Sequence, residues 1–163
     1  MSATLATSPF GSIGYLPSPS VSEEGAWLRE LLRRIHDRFL SSEALSGKVT
    51  TVVDELLDVY TECSEPDWDG ADALPVSTES LEAAGCFLLS LPHGFPMPEV
   101  SADAQGEIHL EWFASPRRLL TISFGSNALH YAGRFGAGTV RGREALGLPV
   151  PESLIVNIRR VFE

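Results

Sequence analysis

Apolar residues recur at two different periods along the chain, and this change of period constrains the fold more than any other feature. Before about residue 92 they recur every three or four residues, as in amphipathic helices. Beyond that point they alternate with polar residues in short segments, as in strands that bury one face. A block of helices followed by a block of strands is typical of an α+β domain.

Three helical segments precede the change of period. The first begins at Ser20, which has capping-box spacing from Glu23, and its polar side carries four Arg. The second covers residues 49–63 and carries acids beside a continuous apolar stripe. The third follows Ser77, a favourable N-cap residue. Because the first two helices have opposite charge, they could pack as an antiparallel hairpin.

Short alternating segments and a last helix follow. The predicted strands lie in residues 96–102, 107–113, 118–124 and 128–135, with a fifth candidate at 139–142. Their connections are short, so neighbouring strands should pair antiparallel as a meander. Pro149 and Pro151 introduce a C-terminal helix over residues 152–162. The sequence therefore predicts an α+β fold: N-terminal helices, an antiparallel β-meander of four to five strands and a C-terminal helix, with the helices on one sheet face.

Composition divides the chain into three parts. Residues 1–19 are rich in Ser, Pro, Gly and Thr and predict a flexible arm, residues 20–45 a helical extension, and residues 46–163 a single α+β domain. Phe10 and Tyr15 are large apolar groups within the arm, so the arm either docks on a surface or is disordered. The chain has no membrane-length apolar run, no signal-peptide pattern and two cysteines, which predicts a cytoplasmic protein without membrane contact.

Charge is distributed unevenly. The formal net charge is −10, and residues 49–116 contain fourteen acids but no Lys or Arg. A negative surface of this kind repels nucleic-acid backbones and suits a basic protein partner, although solubility alone could account for it. The candidate partner-binding residues are Phe10, Tyr15, Asp54, Asp58, Glu62, Glu65 and Asp67.

The stretch EPDWDGADALP, residues 65–75, concentrates four acids with Trp68, Gly70 and two prolines. Its acids do not match a calcium-binding EF-hand loop, which needs an acid at position 5, Gly at position 6 and Glu at position 12. Asp69 followed by Gly70 is a turn signal, and Pro75 restricts the exit. We therefore expect a structural corner formed by Trp68, Asp69, Gly70 and Pro75, with Trp68 as its apolar anchor and no metal.

A set of short motifs resembles a widespread family of small bacterial proteins. The motifs are Trp68-Asp69-Gly70 with Ala73 and Pro75, Leu91-Pro92, Pro96-x-Pro98-Glu99-Val100, Gly106-Glu107-Ile108, Leu110-Glu111-Trp112 and Tyr131-Ala132-Gly133. The resemblance covers about residues 50–163. It implies a bacterial, cytoplasmic accessory protein and no particular reaction.

One face of the predicted sheet offers an alternative site. Strict alternation directs His109, Glu111, His130 and Arg134 away from the core on adjacent strands, together with Glu107. Two histidines, carboxylates and an arginine are ingredients of catalysis or metal binding, but a one-sided antiparallel sheet is polar on this face in any case. No spacing motif for a nucleotide, metal or nucleophile is present, so we predict no cofactor.

Three functions are compatible with these patterns. The first is a non-catalytic protein-binding module, either an adaptor or an antitoxin-like or immunity-like neutraliser of a basic partner. The second is a structural subunit that assembles through the N-terminal extension, including as a homo-oligomer. The third is a small enzyme or ligand binder that uses the polar sheet face.

Overall fold

The computed structural model describes residues 46–163, apart from His93 and Leu148, with side chains from Thr51 onward. The elements are α1 (Ser46–Glu62), α2 (Thr78–Ser90), β1 (Glu99–Ala102), β2 (Ile108–Ser115), β3 (Arg118–Phe124), β4 (Ala128–Phe135), β5 (Gly138–Ala145) and α3 (Glu152–Phe162). The predicted arm, with Phe10 and Tyr15, and the predicted helical extension lie outside the described residues.

The five strands form one antiparallel sheet in the order β1-β2-β3-β4-β5. The predicted α+β fold with a β-meander is confirmed, and the fifth strand is present and longer than its candidate segment. Strand β1 begins at Glu99 and not at the predicted residue 96. Pro96 and Pro98 have no N–H to donate to a ladder, which accounts for the later start.

The inner face of the sheet forms the core with the helices. Its central side chains have no exposed surface: Ile108, Leu110, Leu120, Ile122 and Phe124. Helix α1 packs near β1, α2 against β2 and β3, and α3 against β2, β3 and β4. Phe87 of α2 makes edge-to-face contacts with Trp112 and Phe124, at ring-centroid distances of 6.3 and 5.4 Å.

Helix α3 begins and ends at the predicted residues. Its Leu154, Ile158 and Val161 are fully buried at helical spacing. Arg159 and Arg160 occupy the last turn, where cations offset the negative end of the helix dipole. Their guanidinium groups also lie over the rings of Phe95 and Phe135, at 5.1 and 4.3 Å. The last turn of α3 is thus fixed by both charge and packing.

The opposite, outer face of the sheet carries half-buried and exposed side chains. Two cross-strand rows follow from the register: Ser101, His109, Ser123, His130 and Arg143 in the first, and Glu99, Glu111, Thr121, Ala132 and Arg141 in the second. In these two rows the acids lie on β1 and β2 and the arginines on β5, and Arg134 adds an arginine on β4. Within the described part of the chain, no helix combines the length and hydropathy needed to cross a bilayer.

Candidate functional site

Three acids on α1 share one side of the helix. Asp54, Asp58 and Glu62 follow each other at intervals of four residues, and all three are exposed. We call these three residues the acidic side of α1. Glu65 is also exposed and follows just after the helix ends. The structure thus places four of the predicted partner-binding acids on and immediately beyond one helix.

The acidic side of α1 opposes the helix's own stability. Like charges four residues apart destabilise a helix by roughly 0.2–0.5 kcal/mol per pair. The C-terminal end is also the negative end of the helix dipole, where acids are unfavourable, and the last turn of α1 carries no base. Local helix energetics therefore do not explain why Asp58 and Glu62 are acidic.

Residues 65–75 connect α1 to the segment before α2, and two of their aspartates bind backbone N–H groups. Asp69 Oδ1 accepts hydrogen bonds from the N–H groups of Ala71 (2.8 Å) and Ala73 (3.2 Å). Asp67 Oδ1 accepts one from the N–H of Asp72 at 2.9 Å. Asp67 and Asp72 both have a φ of 63°, in the left-handed region that Asp tolerates better than most residues. These carboxylates stabilise a turn.

Trp68 closes the same corner. Its indole Nε1 donates to the carbonyl of Leu74 at 3.0 Å, and its half-buried ring packs against the core. The chain leaving the corner then meets the β1–β2 hairpin, where the N–H of Leu74 donates to the carbonyl of Ala104 at 3.0 Å. Trp68 is therefore held both by a hydrogen bond and by packing against the core.

Cys63 lies directly after the acidic side of α1 and is buried. Burial raises the pKa of its thiol above the ordinary value, and the neighbouring Glu62 carboxylate raises it further. A thiol with a raised pKa remains protonated at neutral pH and is a poor nucleophile. Cys63 therefore acts as a small apolar group of the core.

The four predicted residues of the polar sheet face lie on the outer face, and three of them contact different groups. Glu111 Oε2 accepts a hydrogen bond from Thr121 Oγ1 at 2.9 Å. Arg134 donates to the carbonyl of Pro116 at 3.3 Å. His130 is exposed and lies two strands away from His109 in the same cross-strand row.

His109 lies instead beside two carboxylates of the β1–β2 hairpin. Its Nε2 is 3.2 Å from Asp103 Oδ2, and donor atoms of Asp103, Glu107 and His109 all lie within 4.8 Å of one another. We call these three residues the hairpin cluster. Asp103 was not among the predicted residues because it lies in the turn between strands, where alternation does not indicate which way a side chain points. The Asp-x-x-Gly pattern of residues 103–106 is typical of a turn whose Asp side chain binds backbone, and it was the feature of the sequence that could have indicated the position of Asp103.

No protein-family model matches the chain, and neither a curated protein sequence nor a solved structure gives a significant match.

Proposed function

We propose that this protein is a non-catalytic protein-binding domain that uses the acidic side of α1 to bind a basic surface on another protein. The observation that carries the proposal is the placement of Asp58 and Glu62 at the negative end of a helix, one helical turn apart and both exposed. Acids in this arrangement lower the stability of the isolated domain. A basic partner would convert the same charges into favourable contacts.

An exposed apolar residue lies in the segment that is joined to the end of α1. Leu74 is 57% exposed at the exit of the corner. The N–H of nearby Val76 donates to the carbonyl of Cys63 at 2.8 Å, which ties this segment to the end of α1. Protein interfaces commonly combine a central apolar anchor with a charged rim. Leu74 and the acidic side of α1 provide both components.

The charge distribution also supports the choice of partner class. From Val49 to Pro75, at the end of the corner, every charged side chain is acidic, and the one base of α1 is Lys48 near its first residue. Nucleic acids are disfavoured there because binding to phosphates depends on Lys and Arg. An adaptor or a neutraliser of a basic protein fits this surface, and the family resemblance favours the bacterial cytoplasm as its location.

The test compares two double charge reversals in the full chain. Asp58→Lys with Glu62→Lys changes the acidic side of α1, whereas Glu79→Lys with Glu82→Lys makes the same charge change at exposed positions of α2. Each protein is used as bait in affinity purification at about 0.15 M salt, followed by mass spectrometry.

We expect the wild type and the α2 variant to capture the same basic protein, and the α1 variant to lose it. Purified partner and wild type should also dissociate as salt is raised, because exposed charge pairs are screened. Equal capture by all three proteins, or no specific capture by the wild type, would contradict the proposal.

A further inference from the structure

The β1–β2 hairpin brings together one imidazole nitrogen and two carboxylates. Asp103 opens the turn, Glu107 closes it, and His109 follows two residues later on the same side of the strand. The backbone fixes this arrangement, since the N–H of Asp103 donates to the carbonyl of Glu107 and the N–H of Gly106 donates to the carbonyl of Asp103. The hairpin therefore presents three donor groups on a rigid turn.

The Asp103 carboxylate is held in a defined orientation. Its Oδ1 accepts hydrogen bonds from the N–H groups of Gln105 (2.9 Å) and Glu107 (3.0 Å). Oδ2 is directed towards His109 and lies 3.2 Å from its Nε2. Two ligands of a tetrahedral ion with bonds of about 2.0 Å are separated by about 3.3 Å. The separation of the two atoms therefore suits a shared ion.

The Nε2 atom of His109 has no hydrogen bond although it is shielded from solvent. The nearest carboxylate oxygen, Asp103 Oδ2, lies 3.2 Å away, which is within ion-pair distance of a protonated imidazole but is not counted as a hydrogen bond. A buried polar atom without a partner is costly and uncommon in folded proteins. A metal ion between Nε2 and the carboxylates would supply the missing partner.

Glu107 reaches the cluster through space that a glycine provides. A Cβ atom placed on Gly125, in the β3–β4 turn, would lie 2.8 Å from Glu107 Oε1. An alanine at residue 125 would therefore require the Glu107 carboxylate to shift from its present position in the cluster. Gly125 is itself fixed, because it is buried and its N–H donates to the carbonyl of Ala128 at 3.0 Å.

Two carboxylates in one cluster favour a bound cation, and residues 49–116, which include the whole hairpin, contain no Lys or Arg.

The kinds of donor atom in the cluster determine which ion fits best. Mg²⁺ and Ca²⁺ prefer oxygen ligands alone, whereas imidazole suits Zn²⁺ and other late transition metals, and Zn²⁺ also accepts carboxylates.

We propose that Asp103, Glu107 and His109 form a binding site for a divalent transition-metal ion, with Zn²⁺ as the best match. The site is independent of the acidic side of α1, so it would exist whether or not that surface binds a protein. Three protein ligands leave at least one coordination position free for water or another ligand.

The experiment measures metal binding by the full chain without an affinity tag. Protein freed of metal by a chelator is titrated with Zn²⁺ and separately with Mg²⁺ by isothermal titration calorimetry. The variants are His109→Ala, Glu107→Gln and Gly125→Ala. His130→Ala is the matched control, because it removes an exposed histidine of the same cross-strand row. Nitrogen NMR of the imidazoles monitors the ring of His109 directly during the Zn²⁺ titration.

We expect the wild type and His130→Ala to bind Zn²⁺ with equal affinity and to show no binding of Mg²⁺ at the same concentrations. His109→Ala and Glu107→Gln should bind Zn²⁺ at least about 100-fold more weakly, and Gly125→Ala at least about 10-fold more weakly. The Nε2 resonance of His109 should move in the wild type. The proposal is wrong if this resonance does not respond to Zn²⁺, or if folded His109→Ala binds as tightly as the wild type.

Discussion

The hydroxyl of Ser80 donates a hydrogen bond of 2.6 Å to the carbonyl oxygen of Phe124, at the end of β3. The same hydroxyl accepts one of 2.8 Å from the N–H of Ile108, the first residue of β2. Ile108 and Phe124 are opposite each other in the register, so a helix side chain bridges two backbone groups at the end of the ladder. Ser80 has no exposed surface.

Replacing Ser80 by Ala should therefore be strongly destabilising. Two buried backbone groups would lose their partner at a cost of about 1–3 kcal/mol each, so we expect the free energy of unfolding to fall by about 2–6 kcal/mol. Ser90→Ala is the control, because the Ser90 hydroxyl donates to the carbonyl of Cys86 within the same helix, α2. That change should cost less than about 0.5 kcal/mol. Urea unfolding measures both, and equal losses would contradict the bridging role.

The turn of the β1–β2 hairpin tolerates no side chain at Gly106. Gly106 has a φ of +76°, and a Cβ placed on it would lie 2.3 Å from the carbonyl oxygen of Pro75. Gly70 has a similar φ of +71° but no atom within 4 Å of such a Cβ. Gly70→Ala should therefore cost about 1–2 kcal/mol through backbone strain alone, and Gly106→Ala about 1–3 kcal/mol more. Thermal and urea unfolding measure the stability of the two variants. Equal losses would contradict the prediction, because they would show that the chain at Pro75 moves aside to accommodate a side chain at residue 106.

Reversing one charge in the middle of the acidic side of α1 should stabilise the isolated protein. Asp58→Lys replaces two like-charge pairs with attractive ones and places a cation near the negative end of the helix, so we expect a gain of about 0.5–1.5 kcal/mol at low salt. Glu152→Lys makes the same charge change in the first turn of α3, where an acid is favourable, and should cost about 0.3–1 kcal/mol. Both changes should shrink in 1 M NaCl. A loss of stability in Asp58→Lys would remove the energetic argument for the proposed function.

Cys63 should make stability depend on pH in the alkaline range. Because folding raises the pKa of its thiol, the native state retains the proton to higher pH than the unfolded chain does. The stabilisation is complete below the thiol pKa of the unfolded chain, about 8.5, and is lost as the pH rises through the folded pKa. Between pH 7.5 and 9.5 the wild type should therefore lose stability more steeply than Cys63→Ala in urea unfolding. Parallel losses in the two proteins would contradict this assignment.

The sequence predicts the elements of the described region well because each has a local cause. Helix α3 starts after Pro151 and has a regular apolar side, so both of its ends were predictable. The order of the strands followed from short connections, which leave antiparallel neighbours as the simplest pairing. The N-cap role of Ser77 was likewise local, since its side chain accepts from the N–H of Ser80 at 3.1 Å.

What the sequence does not predict depends on contacts between distant residues. The partners of Ser80 lie 28 and 44 residues further along the chain, and a serine within a helical pattern gives no sign of them. Alternation indicates that His109 and Glu111 share one face of β2. It could not show that Glu111 bonds to Thr121 while His109 lies beside Asp103. Side-chain rotamers and the position of the turn decide those pairings.

The separation of acids on β1 and β2 from arginines on β4 and β5 gives the outer face a lateral dipole moment. Neighbouring strands lie about 4.8 Å apart, so the charges of Glu99 and Arg141 are separated by about 19 Å across the second row. That distance exceeds two Debye lengths at physiological ionic strength. An approaching molecule therefore interacts electrostatically with one edge of the sheet at a time. In dilute buffer, at about 0.01 M salt, the screening length is longer than the sheet is wide, and the whole face orients an incoming charge distribution.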